Sequence, residues 1–274
     1  MGGVCHEGIY TAGFANGKGG MSPLLLRPLT RDAAEQFARS NIEGCCTPAT
    51  STCMTNVLIL GASGGIGSAL VNACTMRGDI VTGLSRSADG FDITDAASVA
   101  AHLKALDGPF DQVIIATGAL EIAGAGPEKS LKAITKQAMM DQFALNAVGP
   151  ALVLAHMHDL LPRDRRSVLA VLSARVGSIG DNRIGGWISY RSAKAAVNQI
   201  VHTASIELAR THKQSICVAL HPGTVATPFT ENYLGRHPAV PPAQAAENLL
   251  SVMADLTPHQ SGGFYDWAGK EVVW

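Results

Sequence analysis

Val57-Leu58-Ile59-Leu60-Gly61-Ala62-Ser63-Gly64-Gly65-Ile66-Gly67 is the stretch on which the fold turns. Four consecutive apolar residues run into a cluster of glycines, and helical spacing begins behind the cluster and continues over residues 66–77. A short unbroken apolar run closed by turn residues reads as a strand buried on both faces, and the periodic segment after it as a helix. Strand, tight turn and helix in that order open a βαβ unit.

Further short apolar runs follow at residues 80–84, 113–116, 168–172 and 216–220, and segments with helical spacing lie between them at 96–106, 131–161 and 189–210. Strands of this kind suit a parallel sheet covered by helices on both faces. The expected fold is therefore α/β, a single doubly wound parallel sheet of the Rossmann type, over residues 54–274. Hydrophobic residues make up 47% of the 274 residues and charged residues 16%, enough apolar material for such a core. No internal repeat or linker divides this region.

Residues 1–53 read differently. They are glycine-rich and irregular, with one candidate helix at residues 30–40. They are expected to be an appendage: a disordered extension, an organelle-targeting piece, or sequence ahead of a start at Met54.

The formal net charge is −1, so no global basic field draws nucleic acid or an anionic membrane surface. The absence of a long apolar run or a secretory pattern points to a soluble, cytoplasmic chain, with organelle targeting as the alternative. The six cysteines (Cys5, Cys45, Cys46, Cys53, Cys74 and Cys217) show no metal-ligand spacing, and His156 and His158 are two apart, on different sides of a helix. No metal site is expected.

A glycine turn between strand and helix is the setting of a dinucleotide loop. Gly61 allows the tight turn, Gly64 or Gly65 lets the backbone approach a pyrophosphate, and Gly67 allows close helix packing. Ser63, Ile66 and the helix N-terminus complete the cradle. The letters Gly61, Ser63 and Gly65 also fit a serine-hydrolase nucleophile elbow, with His221 as partner. At the end of the second strand, where an acid would hold the 2′-hydroxyl of NAD, the chain has Ser85-Arg86. A guanidinium there pairs with the 2′-phosphate of NADP, so NADP is the expected cofactor, NAD the less favoured one, and Ser85 a small donor beside Arg86.

Tyr190 and Lys194 are four residues apart and share a helix face. A nearby ammonium lowers a phenol's pKa and equips it to exchange a proton with a carbonyl oxygen. With the upstream loop, Asp92, Ala116-Thr117-Gly118, Asn146, Ser173 and Pro222-Gly223 with Thr227, residues 54–274 resemble the short-chain dehydrogenase/reductase family. The stretches at 126–131, 173–179 and 261–264 are similar to its C-factor/sniffer-like carbonyl reductases.

The resemblance implies an oxidoreductase acting on a small carbonyl compound or the matching alcohol. In it Tyr190 is the acid/base group, Lys194 also holds the nicotinamide ribose, and Asn146 supports a proton relay. Asp92 and Ile93 lie against the adenine, and Thr117, Gly118, Pro222, Gly223 and Thr227 join the cofactor site. Asn146 bonding within its helix and Asp92 capping the next helix are the plain alternatives.

Ala174 stands where the family has its serine, which leaves Ser173 or Ser178 as the oxygen donor, Ser173 first because it ends the strand. A homodimer or homotetramer is implied, and residues 227–240 are a candidate substrate lid. The rival function is a cofactor-binding signalling or regulatory protein with little turnover.

Overall fold

The computed structural model describes residues 54–227, 230 and 239–274. The candidate helix at 30–40 and most of the candidate lid lie outside the described residues. Six strands form one sheet: β1 (Asn56–Leu60), β2 (Ile80–Leu84), β3 (Gln112–Ile115), β4 (Ser167–Leu172), β5 (Ser215–His221) and β6 (Phe264–Asp266). Every pairing is parallel, and the order is β2-β1-β3-β4-β5-β6. The doubly wound Rossmann architecture is thus observed. β6 is the strand that sequence patterning does not show, since three residues carry too short a run to stand out.

The helices are α1 (Gly65–Met76), α2 (Arg86–Asp89), α3 (Ala96–Lys104), α4 (Lys136–Phe143), α5 (Gly149–Leu154), α6 (Met157–Leu160), α7 (Ile188–Leu208) and α8 (Pro242–Asp255). Alternation along β1 sends Val57 and Ile59 to one face and Leu58 and Leu60 to the other. The first pair meets Leu70 and Cys74 of α1 and Leu249 and Met253 of α8. The second meets Val99 of α3, Val153 of α5, Met157 of α6 and Val197 and Val201 of α7.

The helix expected over 131–161 is broken into α4, a π-turn at Ala144–Val148, α5 and α6. Pro150 is the local cause: it has no N–H for the carbonyl of Asn146, four residues back, and its ring crowds that position. The interruption places Asn146 in the π-turn.

From β1 the chain crosses outward to β2 and then returns to β3 on the other side of β1. The switch point between β1 and β3 opens a crevice at their carboxyl ends, where ligands bind in open α/β sheets. The glycine turn after β1 and residues 116–118 after β3 both lie at that edge.

Candidate active site

The glycine turn is built as its residue types require. Gly61 has φ +91°, a left-handed conformation that a side chain would strain, and its N–H donates to the Leu84 carbonyl at 2.8 Å. A Cβ on Gly67 would collide with the Gly61 carbonyl, so α1 starts hard against the turn. The N-terminus of α1 has no side-chain cap and no acid in its first turn, which leaves its N–H groups and positive dipole end for an anion.

Two distant segments close on this loop. A Cβ on Gly65 would stand 2.6 Å from the Thr227 methyl, and one on Gly61 would stand 3.1 Å from the Thr117 methyl. The Thr117 hydroxyl oxygen is buried with no hydrogen-bond partner among the described residues. An orphaned polar atom beside an uncapped helix start fits a polar ligand such as a dinucleotide.

Just past the end of β2, Arg86 is exposed, its carbonyl accepts from Gly90 N–H at 3.2 Å, and its guanidinium charge helps the Thr94 bonds hold the Asp92 carboxyl down. Ser85 departs from its expected role. It is buried, donates its hydroxyl to Asp89 Oδ2 at 3.1 Å and accepts from Ala88 N–H at 3.2 Å, because it is the N-cap of α2.

Asp92 does not cap α3. Asp95 does, accepting from Ala97 and Ser98 N–H. Asp92 instead accepts from Thr94 N–H at 2.9 Å and Thr94 Oγ at 2.7 Å, bonds that hold its carboxyl below the usual range. Ile93 is 4% exposed and packs into the core at Gly149, so its side chain is not open to an adenine ring.

Asn146 is fully buried and reaches across to the turn after β3. Its Oδ1 accepts from Ala119 N–H at 3.2 Å, while its amide donates to the Ala119 carbonyl at 2.9 Å and to Gln142 Oε1 at 2.8 Å. A Cβ on Gly118 would meet both Asn146 Oδ1, at 2.8 Å, and Lys194 Nζ, at 3.4 Å. The expected relay residue and the expected ammonium therefore face one point.

Tyr190 and Lys194 lie one turn apart on α7, both buried, with Lys194 Nζ 5.8 Å from the Tyr190 ring centre. Nζ also donates to the Leu172 carbonyl at the end of β4, at 3.0 Å. Burial lowers the Lys194 ammonium to about 8 and lifts the Tyr190 hydroxyl above its ordinary range. Loss of water around the phenolate is the cause of the rise at Tyr190. Tyr190 is thereby kept protonated at neutral pH.

The serines do not supply the expected donor. Ser173 sits two residues beyond Val171 and so points to the α7 face of the sheet, where its hydroxyl donates to Asn198 Oδ1 at 2.6 Å. Ser178 donates to the Val273 carbonyl. Each hydroxyl has one proton, and in each it is engaged elsewhere.

His221 cannot serve a nucleophile at Ser63. It ends β5, and two strands lie between β5 and β1, a separation of about 14 Å at the usual strand spacing.

Several neighbours of Tyr190 carry no local signature in the sequence. Glu128 accepts from Ser189 Oγ and, at 3.2 Å, from Ser189 N–H. Arg191 donates to the carbonyls of Gly186 at 2.9 Å and Val176 at 3.1 Å. The Trp187 ring meets the Tyr190 ring edge to face, with centres 6.4 Å apart. These contacts join residues up to 61 positions apart, and no spacing rule reaches that far.

Among the described residues, no helix is long and apolar enough to cross a membrane. The family described as short chain dehydrogenase matches residues 87–236. The 1-hydroxy-2-glutathionyl-2-methyl-3-butene dehydrogenase of Rhodococcus sp. (strain AD45) is 30% identical over 237 residues, covering 81% of this chain and all of that one. The C-signal protein of Myxococcus xanthus is 34% identical over 136 residues, covering 50% of this chain and 78% of that protein. An NADPH-bound carbonyl reductase from chicken fatty liver superimposes with a TM-score of 0.67 at 21% identity, covering 81% of this chain and 99% of that one. Fold, switch-point crevice and sequence relatives agree, and the chain belongs to the short-chain dehydrogenase/reductase family of oxidoreductases.

Proposed function

We propose that this oxidoreductase uses NADP to interconvert a small carbonyl compound and its alcohol, with Tyr190 as the proton donor and acceptor. The carrying observation is the buried Tyr190 one helix turn from Lys194, whose Nζ faces Gly118 in the turn after β3. The glycine turn from Gly61 to Gly67, Thr117, Gly118, Pro222, Gly223, Thr227 and Lys194 would hold the dinucleotide. The exposed Arg86 would take the 2′-phosphate. The chemistry that a dinucleotide held by these residues would supply is hydride transfer to the carbonyl carbon. Tyr190 gives its proton to the carbonyl oxygen, and the ammonium 5.8 Å from its ring centre stabilises the phenolate that remains. Asn146, facing Lys194 across Gly118, supports the return of a proton from solvent. The relatives' names, a dehydrogenase and a carbonyl reductase, support the same chemistry.

The test is NADPH oxidation against a carbonyl panel, with NADH alongside. Tyr190→Phe is expected to lower kcat by about 100-fold or more, the usual contribution of a positioned acid. Full turnover in that variant refutes the mechanism. The same measurements with analytical ultracentrifugation check our further reading of a homodimer or homotetramer through α7, where Ala196, Ile200 and Ala204 are partly buried and Leu208 is buried in the core.

One observation favours a second reading, an NADP-binding regulatory protein: Ala174 offers no hydroxyl and both nearby serines are engaged. It expects tight NADPH binding with no turnover across the panel.

A further inference from the structure

α7 carries both Tyr190 and Lys194, and its first turn has no side-chain N-cap. Its N-cap, Trp187, makes no side-chain cap and has φ +53°. Gly185 and Gly186 before it are also left-handed, at φ +70° and +67°. A non-glycine residue in this region costs about 1–2 kcal/mol and persists only where its surroundings impose it.

The surroundings here are Glu128. Its carbonyl accepts from Trp187 N–H at 2.6 Å, and its carboxylate takes both the N–H and the hydroxyl of Ser189. The residue is only 6% exposed. Burial works to raise its carboxyl, but the bonds from Ser189 prevail and keep it ionised. A negative charge is thus fixed at the positive end of a 21-residue helix. Glu128, Ser189, Gln142 and Tyr190 border one cavity of about 10 Å³, the space of a single water.

We propose that Glu128 is a positioning residue for Tyr190: by clamping Ser189 and Trp187 it fixes the start of the catalytic helix to the loop between β3 and α4. This rests on the function proposed above. The loop borders the crevice, so the clamp sets where the phenol stands relative to a substrate there.

The experiment compares Glu128→Gln, Ser189→Ala and the double variant, measuring kcat, KM, NADPH dissociation by fluorescence, and Tm. Glu128→Gln removes the negative charge from the helix start and turns one of the two oxygens that accept from Ser189 into an NH2 group, so the two-point clamp loses one acceptor. A displacement of the order of 1 Å costs about 100-fold, so kcat is expected to fall by roughly 10- to 100-fold, with KM and NADPH affinity within about twofold. Ser189→Ala keeps the N–H bond and should lose less. The double variant should be no worse than Glu128→Gln, since both act through one contact.

Parental kcat in Glu128→Gln, an equal loss of NADPH affinity, or losses that multiply in the double variant would overturn the proposal. Should Glu128→Gln fail to fold, the kcat of Ser189→Ala against its unchanged KM decides. If the parent reduces no carbonyl, the proposed function falls while the clamp is still read by hydrogen exchange of the amides at 188–191. Faster exchange in Glu128→Gln supports it, and parental exchange refutes it.

Discussion

Gly177→Ala tests whether packing beneath Lys194 sets the geometry of the site. Gly177 ends a 3₁₀ turn, Arg175–Gly177, that follows Ala174. An added Cβ would lie 2.8 Å from both the carbonyl carbon and Cβ of Lys194 and 3.0 Å from its carbonyl oxygen. Carbon atoms rest about 3.5–4.0 Å apart, so turn and helix have to separate by roughly 0.7–1 Å. The obstacle is backbone and Cβ, which no side-chain rotation relieves. Overpacking of this kind costs about 1–3 kcal/mol. In a domain of this size that lowers Tm by roughly 2–12 °C. The displaced helix turn is the one bearing Lys194, and a shift of about 1 Å there is expected to reduce kcat by on the order of 100-fold. Steady-state NADPH oxidation with the best substrate of the panel, beside thermal unfolding, reads both effects. Parental kcat together with a lowered Tm would separate packing from catalysis and refute the coupling.

Arg86→Ala should weaken NADPH binding by on the order of tenfold or more and leave NADH nearly unchanged, and equal losses would remove the 2′-phosphate contact. Lys194 gives a pH prediction with a definite sign. Its folded-state value of about 8 lies below its ordinary value of 10.5, so the unfolded chain binds more protons between the two and stability rises with pH across that window. Below it the folded state bears a cost of roughly 3 kcal/mol. Lys194→Met is therefore expected to abolish activity yet raise Tm at pH 7, with the gain shrinking towards pH 10. The parent's kcat/KM for reduction should fall as pH passes about 8. A Lys194→Met variant less stable than the parent at pH 7 contradicts the burial argument.

The sheet was legible because continuous apolar runs and glycine turns are local signals, while the order of its strands came from the structure. β6 escaped because its three residues are held by pairing with β5 and not by any pattern of their own. The helix over 131–161 looked continuous because periodicity registers side chains, whereas Pro150 acts on the backbone. At the site, Tyr190, Lys194 and the glycines stood out because their chemistry needs fixed spacing. The Ser173 bond to Asn198 and the burial of Ile93 against Gly149 were not legible, because both are decided by segments far along the chain. Glu128 lay in a stretch noted only for its resemblance, and its partner Ser189 comes 61 positions later.

Ala174 poses the sharpest question about the reaction. Reduction leaves negative charge on the substrate oxygen until Tyr190 protonates it, and one added hydrogen-bond donor at such an oxygen is worth about 100- to 1000-fold. Ser173 and Ser178 have their protons on Asn198 and Val273, so Tyr190 faces that charge without a second hydroxyl. Ala174 has extended backbone, φ −144° and ψ 143°, and is half-exposed, so serine fits there without strain. Ala174→Ser is expected to raise kcat by about tenfold or more while leaving NADPH affinity unchanged, and Ser173→Ala to change kcat little. The reverse pattern, Ser173→Ala abolishing turnover and Ala174→Ser leaving it untouched, would mean that Ser173 leaves Asn198 to reach the substrate. An Ala174→Ser variant that gains turnover from an inactive parent would instead place the natural chain among cofactor-binding regulators, one hydroxyl short of an enzyme.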